Sequence, residues 1–167
     1  MPEEFYPTQQ PAPDVRLEAV ESGRVINPSQ PDARFLVLVF QSQQTARAMA
    51  GIQDAVREKF PDAGEVRIVS VVDLRGVPRM FRGMAKSAMK KAYEHGSEHL
   101  PAGWDPTEYI VILPDWKGEF FKAFGVENAE AHAAAVVVNR DGVVLGARQG
   151  PDLAPFVLDV IAQNVGE

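Results

Sequence analysis

The sequence predicts an α/β fold, a central mixed β-sheet flanked by helices and preceded by a small N-terminal hairpin. Three observations lead there. Short runs such as Phe35 to Phe40 and Ala133 to Val138 are apolar at every position, the pattern of strands covered on both faces. The earlier runs alternate with segments whose apolar residues recur at helical spacing, which implies parallel strands joined by right-handed crossovers. The last two runs are separated only by Asn139-Arg140-Asp141-Gly142, a hairpin turn that makes the sheet mixed.

Taken in order, residues 1–14 are rich in Pro and Gln and read as an extended arm, ordered only where it docks. Residues 15–167 read as one domain. Val15, Leu17 and Ala19 alternate with polar residues, Ser22-Gly23 signals a turn and Val25-Ile26 returns: a small hairpin. After the strand Phe35 to Phe40, the segment Ser42 to Thr45 is expected to cap a helix carrying Met49, Ile52, Val56 and Phe60, stopped by Pro61 to Gly64. Val66 to Val72 is a second strand and Arg79 to Tyr93 a second helix. Gly96 to Pro106 reads as loop, and Tyr109 to Leu113 as a third strand closed by Pro114-Asp115. Gly118 to Phe124 is a short helix ended by Gly125. The return strand Val143 to Leu145 precedes a final helix with the stripe Leu153, Phe156, Val157, Val160 and Ile161.

Bulk properties remove several function classes. A length of 167 residues suits one domain with a sizeable core. The net charge of −6 argues against a nucleic-acid partner, which needs a cationic surface. No run approaches the ~20 apolar residues of a transmembrane helix, and no basic-then-apolar leader opens the chain. The default expectation is therefore cytoplasmic, with periplasmic or extracellular placement open if a leader has been removed. The cysteine count is zero, which excludes disulfides, zinc–thiolate sites and thiol catalysis together. No cofactor or metal is implied.

The order of elements resembles the thioredoxin-like superfamily, and the extra strand and helix from Tyr109 to Gly125 make it similar to the peroxiredoxin and thiol-disulfide-reductase branch. Three stretches carry the resemblance: the strand Phe35 to Phe40 running into a helix; Ile112-Leu113-Pro114-Asp115 followed by Phe121-Lys122-Ala123-Phe124-Gly125-Val126; and Val136-Val137-Val138-Asn139-Arg140-Asp141-Gly142. Together they cover roughly Phe35 to Asn164. The resemblance implies that the two thiol positions of thioredoxin fall on Thr45 and Ala48. On the peroxiredoxin pattern, Thr45 takes the threonine slot and Ala48 the peroxidatic cysteine slot. The cis-proline position and the peroxiredoxin arginine both map to Ala133. The nucleophile and its support are thus missing, and the resemblance implies a redox-inactive member that binds a protein, peptide or small anion.

The candidate ligand-binding residues are Ser42, Thr45, Arg47, Asp73 and His132. The first three sit at a helix start, where outward N–H groups favour an anion; the plainer reading is a cap with a solvated Arg47. His132 precedes the fourth strand of the core and suits acid–base work if a base–hydroxyl pair forms with Thr45; a solvated loop histidine is the simpler account. Asp73 and Asp115 follow strands at the edge where open sheets place their sites, with turn capping the default. A thiol-independent enzyme using Thr45, Arg47 and His132 is the competing class.

Arg79, Arg82, Lys86, Lys90 and Lys91 form a cationic run with no acid among them. It reads first as the wet side of an amphipathic helix covering the sheet. Its alternative is a basic, Met-containing surface for an acidic partner or anionic lipid, in a peripheral membrane or assembly protein. His95 and His99 would share a face on a continuous helix, but Gly96 is expected to end it, leaving no metal site. Phe120, Phe121, Phe124, Trp104 and Trp116 read as core and lid packing. A homodimer is compatible with the sequence.

Overall fold

The computed structural model describes residues 5–166. Leu17–Glu18 (β1) and Val25–Ile26 (β2) form an antiparallel hairpin. The central strand Phe35–Gln41 (β3) leads to the helix Arg47–Lys59 (α1), then to Val66–Asp73 (β4). A 3-10 turn at Arg79–Phe81 opens the long helix Arg82–Glu98 (α2). A single helical turn, Pro106–Tyr109 (α3), precedes Val111–Asp115 (β5) and Glu119–Phe124 (α4). Ala134–Asn139 (β6), Val144–Gln149 (β7) and Leu153–Asn164 (α5) complete the order.

The five-stranded sheet has the order β5-β4-β3-β6-β7. β3, β4 and β5 run parallel; β6 is antiparallel to β3, and β7 to β6. The mixed sheet and N-terminal hairpin expected from the sequence are both present. β3 and β6, in the middle of the sheet, are apolar along nearly their whole length because both faces are covered, whereas β4 also carries Arg67 and Ser70 and β5 alternates buried and half-buried positions. On one face α1 and α5 pack Ile52, Val56, Val157 and Ile161 over Val37, Val39, Ile68 and Val137. On the other, Phe120, Phe121 and Phe124 of α4 pack against Leu36, Leu38 and Phe40. The Phe40 and Phe121 rings meet edge-to-face at 5.1 Å. Each fully buried large side chain contributes roughly 1.5–3 kcal/mol, so α4, only one and a half turns long, is fixed by its aromatics rather than by helix propensity.

Both sheet edges are covered. The N-terminal arm runs along β7: Gln9 N–H donates to the Val144 carbonyl at 2.7 Å and Val144 N–H to the Gln10 carbonyl at 2.9 Å. Tyr6 packs on Phe124 with ring centroids 5.5 Å apart. At the opposite edge Val20 N–H donates to the Ile112 carbonyl at 3.0 Å.

The structure corrects three expectations of local structure. Neither Ser42 nor Thr45 caps α1; the N-cap is Ala46, with no side-chain cap bond. α2 does not end at Gly96 but continues to Glu98. Glycine costs a helix interior about 1 kcal/mol, yet here its missing Cβ admits Ile110, whose Cδ1 would lie 2.7 Å from an added methyl. Tyr109 belongs to α3, and Pro114 and Asp115 to β5; β5 is an edge of the sheet, where proline is tolerated.

Candidate functional site

The strand β3 delivers the chain to Ser42 at the C-terminal edge of the parallel strands. There the structure brings Ser42 and Thr45 together with the loop before β6. Thr45 Oγ1 donates to the Ala129 carbonyl at 2.6 Å and Ser42 Oγ to the same oxygen at 3.0 Å. Ser42 N–H donates back to Thr45 Oγ1 at 3.0 Å. Ala129 is fully buried and Ser42 is 7% exposed, so these bonds hold the loop in place of water. Ala133 is buried next to β6, whose first residue Ala134 pairs with Phe40. Among the described residues no peptide bond, including the one preceding Ala133, is cis.

The other candidate residues do not join this locus as ligands. Arg47 is exposed in the first turn of α1, where the helix dipole disfavours a cation. His132 is exposed; its carbonyl accepts from Gln149 Nε2 at 3.0 Å, and its ring is not a partner of Thr45. Thr45 has no base on its hydroxyl, which removes the geometry a threonine nucleophile needs.

Asp73 is committed to Arg75. The guanidinium makes a two-point contact, Nε to Oδ1 at 2.9 Å and Nη2 to Oδ2 at 2.8 Å. The same Nη2 donates to the Glu127 carbonyl at 2.8 Å, and the guanidinium lies 4.9 Å over the Phe121 ring. The hydrogen bonds from Arg75 hold the Asp73 carboxyl below its ordinary range. Gly118 makes room for this clamp: at φ +73, an added Cβ would sit 2.3 Å from Arg75 Cδ. Asp115, fully buried, accepts the N–H groups of Glu119, Phe120 and Phe121 at 2.8, 3.0 and 3.2 Å. It anchors the start of α4 as a turn acceptor. Burial pushes its carboxyl up, opposed by those three N–H groups.

The larger feature escaped sequence reasoning. α2 does not cover the sheet. Met89 is its only buried side chain, while Met84 is 70% and Phe81 47% exposed. The apolar face of α2, carrying Phe81, Met84, Ala85, Ala88 and Ala92, looks across an open groove of about 1400 Å³ toward α1 and strands β4 and β5. The helix is packed where Gly96 meets Ile110, the residue before β5, and at Met89, and its other side chains are exposed or half-buried. The groove is lined at the start of α1 by Gln41, Ser42 and Gln44, and toward the ends of α1 and α2 by Arg57, His95 and Trp104. Two of its polar side-chain atoms are buried without a partner, Gln41 Oε1 and Arg57 Nη2. The His95 and His99 rings lie 4.3 Å apart, tilted by 45°, where α2 ends. Among the described residues no group of three His, Cys, Asp or Glu side chains is placed to hold a metal.

The basic run sits on the outer side and tip of this helix. Arg79, Arg82, Lys86, Lys90 and Lys91 are all exposed. Arg82 lies 5.4 Å over the Trp116 ring, and none of the five makes an ion pair among the described residues. Among the described residues no helix is long and apolar enough to cross a membrane.

This geometry defines a class: a thioredoxin-like fold without thiols. Solved structures share the fold. A thiol:disulfide interchange protein, DsbE, of Chlorobium tepidum superposes with a TM-score of 0.60 at 18% identity, covering 95% of this chain and 97% of its own. The pneumococcal exposed lipoprotein thioredoxin Etrx1 of Streptococcus pneumoniae gives 0.62 at 15% identity, covering 90% and 99%. StoA of Bacillus subtilis gives 0.58 at 16% identity, covering 90% and 98%. No family model and no curated protein matches the sequence.

Proposed function

We propose that this chain is a redox-inactive, thioredoxin-like binding module, and that the groove between α1 and α2 is where its ligand sits. Zero cysteines leave nothing to attack a disulfide or a peroxide. Kinship to the peroxiredoxin and thiol-disulfide-reductase branch rests on the three sequence stretches quoted above. The observation that carries the reading is α2 itself, an amphipathic helix whose apolar face has no partner over most of its length. Helices in water owe their stability mainly to packing such a face, and exposed apolar surface of this extent marks an interaction site. A protein, peptide or small anion reaching in from the Ser42 end would supply the missing packing.

The test is amide chemical-shift mapping with the neutral apolar probe N-phenyl-1-naphthylamine. Shifts confined to α1, α2 and β4–β5 support the reading. Shifts elsewhere, or none, reject it. Insulin reduction and peroxide consumption are expected to be absent; turnover in either by pure protein contradicts redox inactivity.

A second reading is favoured by one observation. Met80 is 81% exposed beside Phe81 and Met84 at the tip of the cationic run. A basic tip with apolar side chains suits an anionic bilayer. Salt-sensitive binding to anionic vesicles that is lost when Lys86, Lys90 and Lys91 are neutralised supports this surface; no binding at low salt removes it.

A further inference from the structure

Arg57 is the side chain in the groove that packing does not account for. It lies in the last turn of α1, partly buried. Nη1 donates to the Phe60 carbonyl at 3.2 Å, and the guanidinium lies 4.8 Å over the Tyr109 ring, which Trp104 backs in a stack at 4.3 Å. Nη2 is closed off from solvent and has no acceptor. Asp54 and Glu58 line the same groove from exposed positions on α1, but neither pairs with Arg57. Burial lowers the Arg57 pKa to about 10, so the group remains cationic at neutral pH. Asp62 is the carboxylate whose charge Arg57 feels, but it forms no ion pair with it. A half-buried guanidinium with no direct carboxylate partner is costly, and a carboxylate offers it two acceptors in matching geometry.

The wall that α2 presents to the groove is apolar, with Met84, Ala85, Ala88, Met89 and Ala92, while Gln41 to Gln44, Gln53, Asp54 and Asp73 line its other sides. The helix that walls it, Arg82–Glu98, extends roughly 24 Å at 1.5 Å per residue. One end is thus cationic and aromatic, with Arg57, His95 and Trp104, and the other is apolar and open, with Phe81 and Met84.

Resting on the binding reading above, we infer that the ligand is an amphipathic carboxylic acid, its carboxylate held by Arg57 and its hydrocarbon chain laid along the apolar face of α2. The chain replaces water against Met84 and Ala88, and the guanidinium turns Nη2 into the groove to meet the carboxylate, the acceptor it lacks. An alcohol of equal length would gain the first and lose the second. Each added methylene within the groove tightens binding roughly fourfold.

The experiment is displacement of N-phenyl-1-naphthylamine from the full chain by dodecanoate, by dodecanol and by the C8 to C14 acids. Dodecanoate is expected to bind more tightly than dodecanol. Arg57→Gln is expected to weaken dodecanoate roughly ten- to a hundredfold and leave dodecanol unchanged, with Arg57→Lys between. Thermal unfolding of each variant shows whether it is folded, and the dodecanol value reports an intact groove. If the probe binds but acid and alcohol compete equally, or if Arg57→Gln weakens both alike, the carboxylate assignment is overturned and the groove stands. If the probe does not bind at all, the groove reading itself fails.

Discussion

Thr45 Oγ1 donates to the Ala129 carbonyl at 2.6 Å, joining the start of α1 to the loop before β6. Ser42 shares that acceptor. At Thr45, the position to which the resemblance would assign a thiol, this chain has a hydroxyl clamp. Removing one hydroxyl leaves the other on a fully buried carbonyl; removing both leaves it bare. Thr45→Val and Ser42→Ala are each expected to cost about 1 kcal/mol, and the pair to cost more than the sum. Urea unfolding of the four proteins measures this, and strict additivity would show that the two hydroxyls act separately.

The same locus permits a gain-of-function check on the vacant positions. Thr45→Cys with Ala48→Cys places thiols at the entry to a helix, where free N–H groups stabilise a thiolate. The Ala48 N–H already donates to the Thr45 carbonyl at 3.1 Å, a closed turn that brings the two positions together. The double variant is expected to close to an intramolecular disulfide, and its single Thr45→Cys thiol to alkylate with a pKa below the ordinary thiol value near 8.5. An ordinary or raised thiol pKa would remove the equivalence.

Asp73 and Arg75 set an acid limb on stability. The folded pKa of Asp73 is lowered, first by the Arg75 hydrogen bonds. Its contribution is therefore present above the unfolded carboxylate value and is lost as pH falls through the folded one, below roughly pH 4. The difference in melting temperature between the wild type and Asp73→Asn should be largest near neutrality and shrink toward pH 3. Gly118→Ala should mimic the loss at all pH values, because its methyl displaces Arg75. A difference that is flat with pH would contradict the account.

Asp115 is a structural anchor, not a ligand contact. Asp115→Ala strands two buried N–H donors, of Phe120 and Phe121, and the part-buried one of Glu119 at the start of α4. At about 1–3 kcal/mol for each buried group left unsatisfied, only partly offset by water entry, the variant is expected to lose at least 2 kcal/mol by denaturant titration. Asp115→Asn, which keeps one acceptor, should lose less.

The fold was legible because burial writes itself into composition. Phe35 to Phe40 and Ala133 to Val138 are apolar throughout since helices cover both faces, and Gly125 and Gly142 mark turns at φ +75 and +77. The site was less legible. Thr45 looks like a cap in sequence, since capping hydroxyls and bridging hydroxyls share one spelling; only the fold shows that its partner is Ala129. The apolar stripe of α2 is that of a packed helix, and a stripe does not reveal whether the sheet lies against it or across a gap. Arg57, in the last turn of α1, reads as an ordinary basic helix end; nothing in sequence signals that Nη2 is shut in without an acceptor.

The most direct measurement of the central claim fills the groove. Ala88 is exposed on the α2 wall and lines it. Ala88→Trp should occupy the space with its own indole, abolish the fluorescence enhancement of N-phenyl-1-naphthylamine, and hold or raise the melting temperature as α2 gains packing. Undiminished probe binding by a folded Ala88→Trp protein would show that the groove is not the binding site.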